Sequence, residues 1–186
     1  MLKGKLTGLR AIERADLPSL LAWRNMPEFR RFFREYRELN GEQHARWFET
    51  AVCGDPKTLM FSIVRIDTGA LLGAAGLCYV NWVDRNADFS IYIGADGRYV
   101  DGTYAPDAAK TLIAYAFGEL GLHRLWTEIY SIDAKKRKLF TDLGFSIDGV
   151  HRQTHWTDGR WVDSIYFSLL AGESGHSRAA KGRSRA

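Results

Sequence analysis

The sequence predicts an α+β fold: a mixed, mostly antiparallel sheet of about seven strands flanked by about four helices. Three observations carry this. Short segments alternate apolar and polar residues, as from Asp88 to Gly94, where Phe89, Ile91 and Ile93 point one way and Asp88, Ser90 and Tyr92 the other. Turn-forming pairs and triplets, Asp67–Thr68–Gly69 and Asp158–Gly159, join such segments as hairpins. One long stretch repeats at helical spacing: Ala105, Ala108, Ala109, Leu112, Ile113, Ala116, Phe117 and Leu120 form a single apolar stripe, with Gly121 as its stop.

In chain order, Leu6–Glu13 reads as a first strand and Asp16 opens a short helix carrying Leu17, Leu20, Leu21 and Trp23. The following run to Leu39 interleaves Arg24, Arg30, Arg31, Arg34 and Arg37 with Trp23, Phe29, Phe32, Phe33 and Tyr36. Three readings stand side by side: an amphipathic helix with arginines over aromatic core residues, a surface that stacks on nucleic-acid bases, and a cleft wall with an arginine facing an anionic substrate group. Asn40 with Gln43 forms a capping box for a helix that carries His44, Trp47 and Phe48. His44 is a candidate base or acceptor contact, or a structural histidine beside Trp47.

Two strands joined at Asp67–Gly69 follow, then a turn at Asp84–Asn86 into the Asp88 strand. The long helix comes next. With Pro106 as its first residue, Ala105 is the cap and offers no side-chain acceptor, so the first-turn N–H groups need water or an anion such as a phosphate. Asp107 already places negative charge there. After the helix come a strand at His123–Ser131, a short helix with Leu139, Phe140 and Leu143 facing inward, and a terminal hairpin.

Composition bounds the function. At 186 residues, 46% hydrophobic and 26% charged, residues 1–171 form one soluble domain. The net charge of +4 resides mostly in a tail, residues 172–186, whose Arg178, Lys181, Arg183 and Arg185 oppose only Glu173. The body is therefore nearly neutral, which argues against a nucleic-acid-binding surface, and the tail is expected to be disordered. Cys53 and Cys78, far apart in sequence, read as reduced buried thiols of a cytoplasmic protein. No signal peptide or membrane-length apolar segment is present in these residues.

Four stretches together resemble the GNAT superfamily of N-acetyltransferases, in particular the branch with ribosomal-protein N-terminal, spermidine and nucleotide-amino-sugar acetyltransferases. They are LAWRN at Leu21–Asn25, EQHARWF at Glu42–Phe48, YAFGELGLHRLWTEIYSID at Tyr115–Asp133, and KLFTDLGF at Lys138–Phe145. The resemblance spans roughly Leu6 to Leu170. It implies a GNAT-like fold and acetyl transfer from acetyl-CoA, as cosubstrate and without a metal, to a primary amine. The acceptor classes are an amino sugar, a polyamine, a similar small molecule or a protein N-terminus.

It also implies a coenzyme site along Ile91, Ile93 and Gly94, the loop Arg98, Val100, Asp101, Gly102, Thr103, Tyr104 and Ala105, and Asp133 and Lys138. The diphosphate motif of the family falls on Val100–Ala105, where only Ala105 matches; Asp133 replaces a frequent Asn, and Phe140 replaces a frequent proton-donating Tyr. Glu128 and Asp88 are then the candidate bases, Tyr130 and Tyr92 candidate acids, and Arg24, Asn25 and His44 candidate acceptor contacts. A homodimer is left open, membrane partners are not expected, and nucleic acid is disfavoured. The competing reading is a non-catalytic acyl-CoA-binding GNAT module that senses or docks.

Overall fold

The computed structural model describes residues 1–175. The sheet has eight strands: β1 (Leu2–Lys3), β2 (Thr7–Ala11), β3 (Leu59–Arg65), β4 (Leu71–Asn81), β5 (Asn86–Ile93), β6 (Arg124–Tyr130), β7 (Ser146–Thr157) and β8 (Arg160–Leu170). Their order is β1-β2-β3-β4-β5-β6-β8-β7. Every pair is antiparallel except β5–β6, which is parallel. The strand beyond the expected seven is two-residue β1, too short to show alternation.

Five α-helices lie among the described residues: α1 (Leu17–Asn25), α2 (Pro27–Arg30), α3 (Gly41–Trp47), α4 (Tyr104–Ala114) and α5 (Ala134–Asp142). The two longest apolar patterns run past their α-helical spans, as wider π turns over Phe48–Cys53 and Tyr115–Glu119. α4 lies across β1, β2, β4 and β5. Its stripe is buried completely at Ala105, Ala108, Ala109, Leu112 and Ala116. Small alanines let the helix sit close on the sheet, while each fully buried Leu or Phe contributes about 1.5–3 kcal/mol by leaving water.

The hairpin turns formed as expected, and for the expected reason: Asp158 and Gly159 both have positive φ, 51° and 72°, as a two-residue turn between twisted strands requires. The Asn40–Gln43 capping box is present, with Gln43 N donating to Asn40 Oδ1 at 2.8 Å and Asn40 N donating to Gln43 Oε1 at 3.0 Å.

The arginine–aromatic run is not one helix. Met26 has ψ 124°, and Pro27 supplies no N–H to carry α1 onward, so the chain breaks there and turns after Arg30. The irregular segment from Arg31 to Asn40 is held at both ends. Asn25 bonds Leu39 twice, donating from Nδ2 to its O at 2.8 Å and accepting from its N at 3.0 Å. Arg31 pairs with Asp158 at the tip of the β7–β8 hairpin.

Cys53 is exposed, not buried, because it ends the π segment beside Gly54; Cys78 is half-buried, and neither forms a disulfide. Of the C-terminal tail, Gly172–Gly175 form a turn and the remainder lies outside the described residues. No described helix is long and apolar enough to cross a membrane.

Candidate active site

β5 and β6 pair only at Asn86↔Arg124, Ala87↔Leu125 and Asp88↔Trp126, although β5 runs on to Ile93 and β6 to Tyr130. Two parallel strands that stop pairing midway open a wedge in the centre of the sheet. Gly94 N donates to Leu72 O at 2.7 Å, which makes Gly73↔Ile93 a non-hydrogen-bonded pair of the β4–β5 ladder. By the alternation of that ladder, the N–H groups of Ile91 and Ile93 point away from β4, into the wedge. Ile93 N is taken by Tyr99 O at 2.7 Å. The Ile91 N–H lies beyond the last β5–β6 pair, so the sheet supplies it no ladder partner.

Gly94 is glycine for packing: a Cβ there would stand 2.0 Å from the Trp23 ring. Together with its bond to Leu72, this makes Gly94 a structural residue and corrects its expected role as a coenzyme donor.

The head of α4 also corrects the sequence expectation. The helix starts at Tyr104, not Pro106, and it is not uncapped. Asp101 Oδ1 accepts from Thr103 N (3.2 Å), Tyr104 N (2.8 Å) and Ala105 N (2.9 Å). Pro106 is third in the helix, where its missing N–H again costs nothing. Arg98 binds the other oxygen of Asp101 at 3.3 Å and Asp96 at 2.9 Å, and Lys135 Nζ donates to Arg98 O at 3.0 Å. Gly102 has open space around it, whereas Val100 is buried in the core.

Asp133 caps α5 through Lys136 N (3.0 Å) and accepts from the Tyr99 hydroxyl at 2.6 Å, with only 2% exposure; its carboxylate is spent inside the protein. Lys138 pairs with exposed Asp142 at 2.8 Å on the outer face of α5. Asp107 turns away from the anion question: it accepts from the N–H groups of Lys5, Leu6 and Thr7 and from the Thr7 hydroxyl, tying the β1–β2 turn to α4.

At the mouth of the wedge, Asp88 and Glu128 meet on one cation. Arg34 Nη1 lies 2.6 Å from Asp88 Oδ2, and Arg34 Nε lies 3.0 Å from Glu128 Oε2. Burial pushes the Asp88 carboxyl above its ordinary value, with Arg34 opposing. Lys136, on α5, lines the same cavity of about 280 Å³ as Asp88 and Glu128, with its ammonium over the rings of Phe33 (5.8 Å) and Tyr99 (5.4 Å). Burial lowers its pKa, opposed by Asp133 and Asp88. Cys78 borders this cavity as well, its thiol raised to about 12 by burial and by the Asp88 charge.

Tyr92 and Tyr130 are both buried, and burial raises both phenols, so neither gives up a proton easily. Tyr130 is stacked on His155 at 3.7 Å. Phe140 is fully buried against Phe89 and Phe145.

A second cavity of about 550 Å³ lies under α1 and α3 and shares Arg24, Phe33, Glu35, Trp47, Met60 and Ser90 with the first. His44 is 3% exposed and stacked on Trp47; its Nδ1 has no hydrogen-bond partner among the described residues, and burial then the Arg24 charge hold its pKa down. Asn25 is committed to Leu39 at both ends of its amide, which corrects its expected role in acceptor binding. A larger hollow, about 980 Å³, runs between β1 and the outer side of α4 and contains neither Asp88 nor Glu128.

The sequence names Asp88 and Glu128 as candidate bases on strands bordering a cleft, and the two line one cavity; Arg24 lines both cavities, Tyr92 and His44 only the second, and Tyr130 neither. Arg34 enters the sequence reading only as one of five arginines of a possible cleft wall, and Lys136 does not enter it. Arg34 carried no local signal, since five arginines share its stretch. Lys136 had one: it precedes Phe140 by four residues and so shares its helix face.

Residues 7–146 match the family model described as the acetyltransferase (GNAT) domain. The N-acetyltransferase p20 of Bacillus licheniformis is 28% identical over 113 residues, 61% of this chain and 62% of that protein's length. The N-acetyltransferase YoaA of Bacillus subtilis is 24% identical over 164 residues, 87% of this chain and 92% of that one. The crystal structure of spermidine N-acetyltransferase from Vibrio cholerae, in complex with CoA and spermine, superposes with a TM-score of 0.81 at 22% identity, over 91% of this chain and 98% of that one.

Proposed function

The chain belongs to the GNAT acetyltransferase family, whose chemistry is acetyl transfer from acetyl-CoA to an amine, and we propose that it carries out this transfer at the β5–β6 wedge. The observation that carries the reading is the wedge itself: a directed Ile91 N–H in a gap flanked by Asp88 and Glu128. A thioester laid along β5 puts its carbonyl against that N–H, where negative charge develops during attack. The fit at the other end is conditional. The amides of Thr103, Tyr104 and Ala105 form a diphosphate-sized nest, and it accepts a diphosphate once Asp101 leaves it.

The acceptor arrives as an ammonium. An alkyl amine of pKa ~10 is neutral in only about one part in a thousand at pH 7, an obstacle of about 4 kcal/mol. Asp88 and Glu128 attract the ammonium in place of Arg34. Asp88, its carboxyl raised by burial, is the base that takes the proton. The neutral nitrogen attacks the thioester carbon, the nitrogen of the adduct releases its second proton to water, the C–S bond breaks, and the coenzyme thiolate leaves. With Phe140 unable to donate, Lys136 supplies the proton to sulfur. Its lowered pKa suits that transfer, and positioning provides much of the remaining rate.

The acceptor is a primary amine small enough for the joined cavities. The Vibrio cholerae neighbour makes spermine and spermidine natural members of the test panel. The free thiols of Cys53 and Cys78 support a reducing, cytoplasmic setting.

A second reading is favoured by Asp101 in the nest and Phe140 at the acid position: a module that binds an acyl-CoA without turning it over. Coenzyme A release over an amine panel separates the two. Release with any amine supports the enzyme. Acetyl-CoA binding without release across the panel supports the module.

A further inference from the structure

Resting on the transfer reading above, we propose that the acceptor is an amine that carries its own anionic group, a carboxylate or a phosphate, and that Arg24 receives that group. The charges that line the joined cavities point to this. Their three carboxylates are already paired: Asp88 and Glu128 with Arg34, and Glu35 with Arg37 at 2.8 and 2.6 Å. Nothing is left over for a second or third ammonium, so the cleft has no complement to an extended polycation once one amine has displaced Arg34.

Arg24 is the opposite case. It is half-buried, lines both cavities, and rests its guanidinium over the Phe33 ring at 5.1 Å, yet has no ion pair with any described residue. Desolvation of this side chain pushes its pKa down, only partly offset by Tyr92, Glu35 and Cys78. A guanidinium withdrawn from water without a counterion is costly. Its planar fork, presented beside Ser90, Trp47 and Tyr92, matches a carboxylate or phosphate two-pronged. Neighbouring His44 gives no alternative anion, being held neutral beside it. The amine then lies at Asp88 and the anion at Arg24, at two places within one small-molecule cleft.

The test is a set of short amines differing in one group: β-alanine (carboxylate), 2-aminoethyl phosphate (phosphate), ethanolamine (neutral) and spermidine (polycation). kcat/KM is measured by coenzyme A release with the full-length wild type, Arg24→Gln and Arg24→Lys. The wild type is expected to favour one of the two anionic amines over ethanolamine by about tenfold or more, and over spermidine by more still. Arg24→Gln is expected to cost the anionic amine about 10- to 100-fold, mainly in KM, and ethanolamine at least tenfold less, with Arg24→Lys between. Whichever of β-alanine and 2-aminoethyl phosphate leads identifies the anion.

A preference for spermidine, or an Arg24→Gln loss equal across all four amines, overturns the proposal. Thermal shift with the same amines reads binding without transfer. If no coenzyme A is released, yet an anionic amine stabilises the wild type and not Arg24→Gln, the transfer reading falls and the anion site stands. If the thermal shifts of the two proteins are the same, or absent, the anion site falls.

Discussion

At the head of α4 the protein supplies its own anion; under α1 and α3 it leaves a cation without one. Asp101 fills the nest made by Thr103, Tyr104 and Ala105 N–H groups, while half-buried Arg24 makes no ion pair among the described residues, its nearest carboxylate, Glu35, being bonded to Arg37. Between them, Arg34 bridges Asp88 and Glu128, so the carboxylates proposed to receive the amine already hold an internal cation. Some ligands must therefore compete to enter and others are drawn in. A diphosphate has to displace Asp101, and an ammonium has to displace Arg34. An acceptor anion at Arg24 has no ion pair to break, since Glu35 nearby is bonded to Arg37.

The strongest test of this division is at the wedge. Asp88→Asn is expected to lower kcat by ~10²–10⁴-fold, the usual range for a lost general base, with Glu128→Gln weaker and expressed more in KM. Full turnover in both variants sinks the base assignment. Lys136→Met is expected to cost about 10²-fold in kcat, the low end of the range for a lost general acid. The pH profile sharpens both roles. Asp88 has a raised pKa, so activity falls as pH drops through that value. Lys136 has a lowered one, so activity falls as pH climbs through it. Loss of the alkaline limb alone in Lys136→Met would separate its proton donation from a packing role.

What was legible in the sequence was local. The α4 stripe, the Asn40 capping box and the Asp158–Gly159 turn each depend on neighbours within about four residues, and each is where the pattern put it. The head of α4 was misread because Pro106 favours a first helical position, whereas it stands third, and the cap is a carboxylate upstream of the helix. The break at Met26 was readable from Pro27 but lost among the arginines and aromatics. Arg34 joins Asp88 and Glu128 across 54 and 94 residues of chain. No spacing rule reaches that far, and only the parting of β5 from β6 makes one cation serve both carboxylates.

A second internal carboxylate provides the control for Asp101. Burial would raise the Asp16 carboxyl, but Arg10 at 2.7 Å on both oxygens, Glu13 N and the Ser62 hydroxyl bring it to about 2. A depressed carboxyl contributes stability above its ordinary value of 3.8 and loses it as pH falls through about 2. That contribution is on the order of 2 kcal/mol. Urea unfolding at a series of acid pH values should show it, and Asp16→Asn should flatten the slope. An unchanged slope would mean that this knot is not what the acid limb reports.

Asp101 looks alike on paper, with three amides and an arginine, yet its partners are main-chain donors at a helix head beside open Gly102, not a buried side-chain knot. If it is displaceable, Asp101→Ala costs about 1 kcal/mol as a lost helix cap and, at the same time, tightens acetyl-CoA several-fold, because the nest no longer has to be emptied. If it is as permanent as Asp16, the same variant loses stability with no gain in coenzyme affinity. Calorimetry of acetyl-CoA binding beside urea unfolding of the same variant decides between them. Affinity that rises as stability falls makes Asp101 a placeholder for the diphosphate. Affinity that stays level or falls with it makes Asp101 a permanent cap and removes the nest as the diphosphate site.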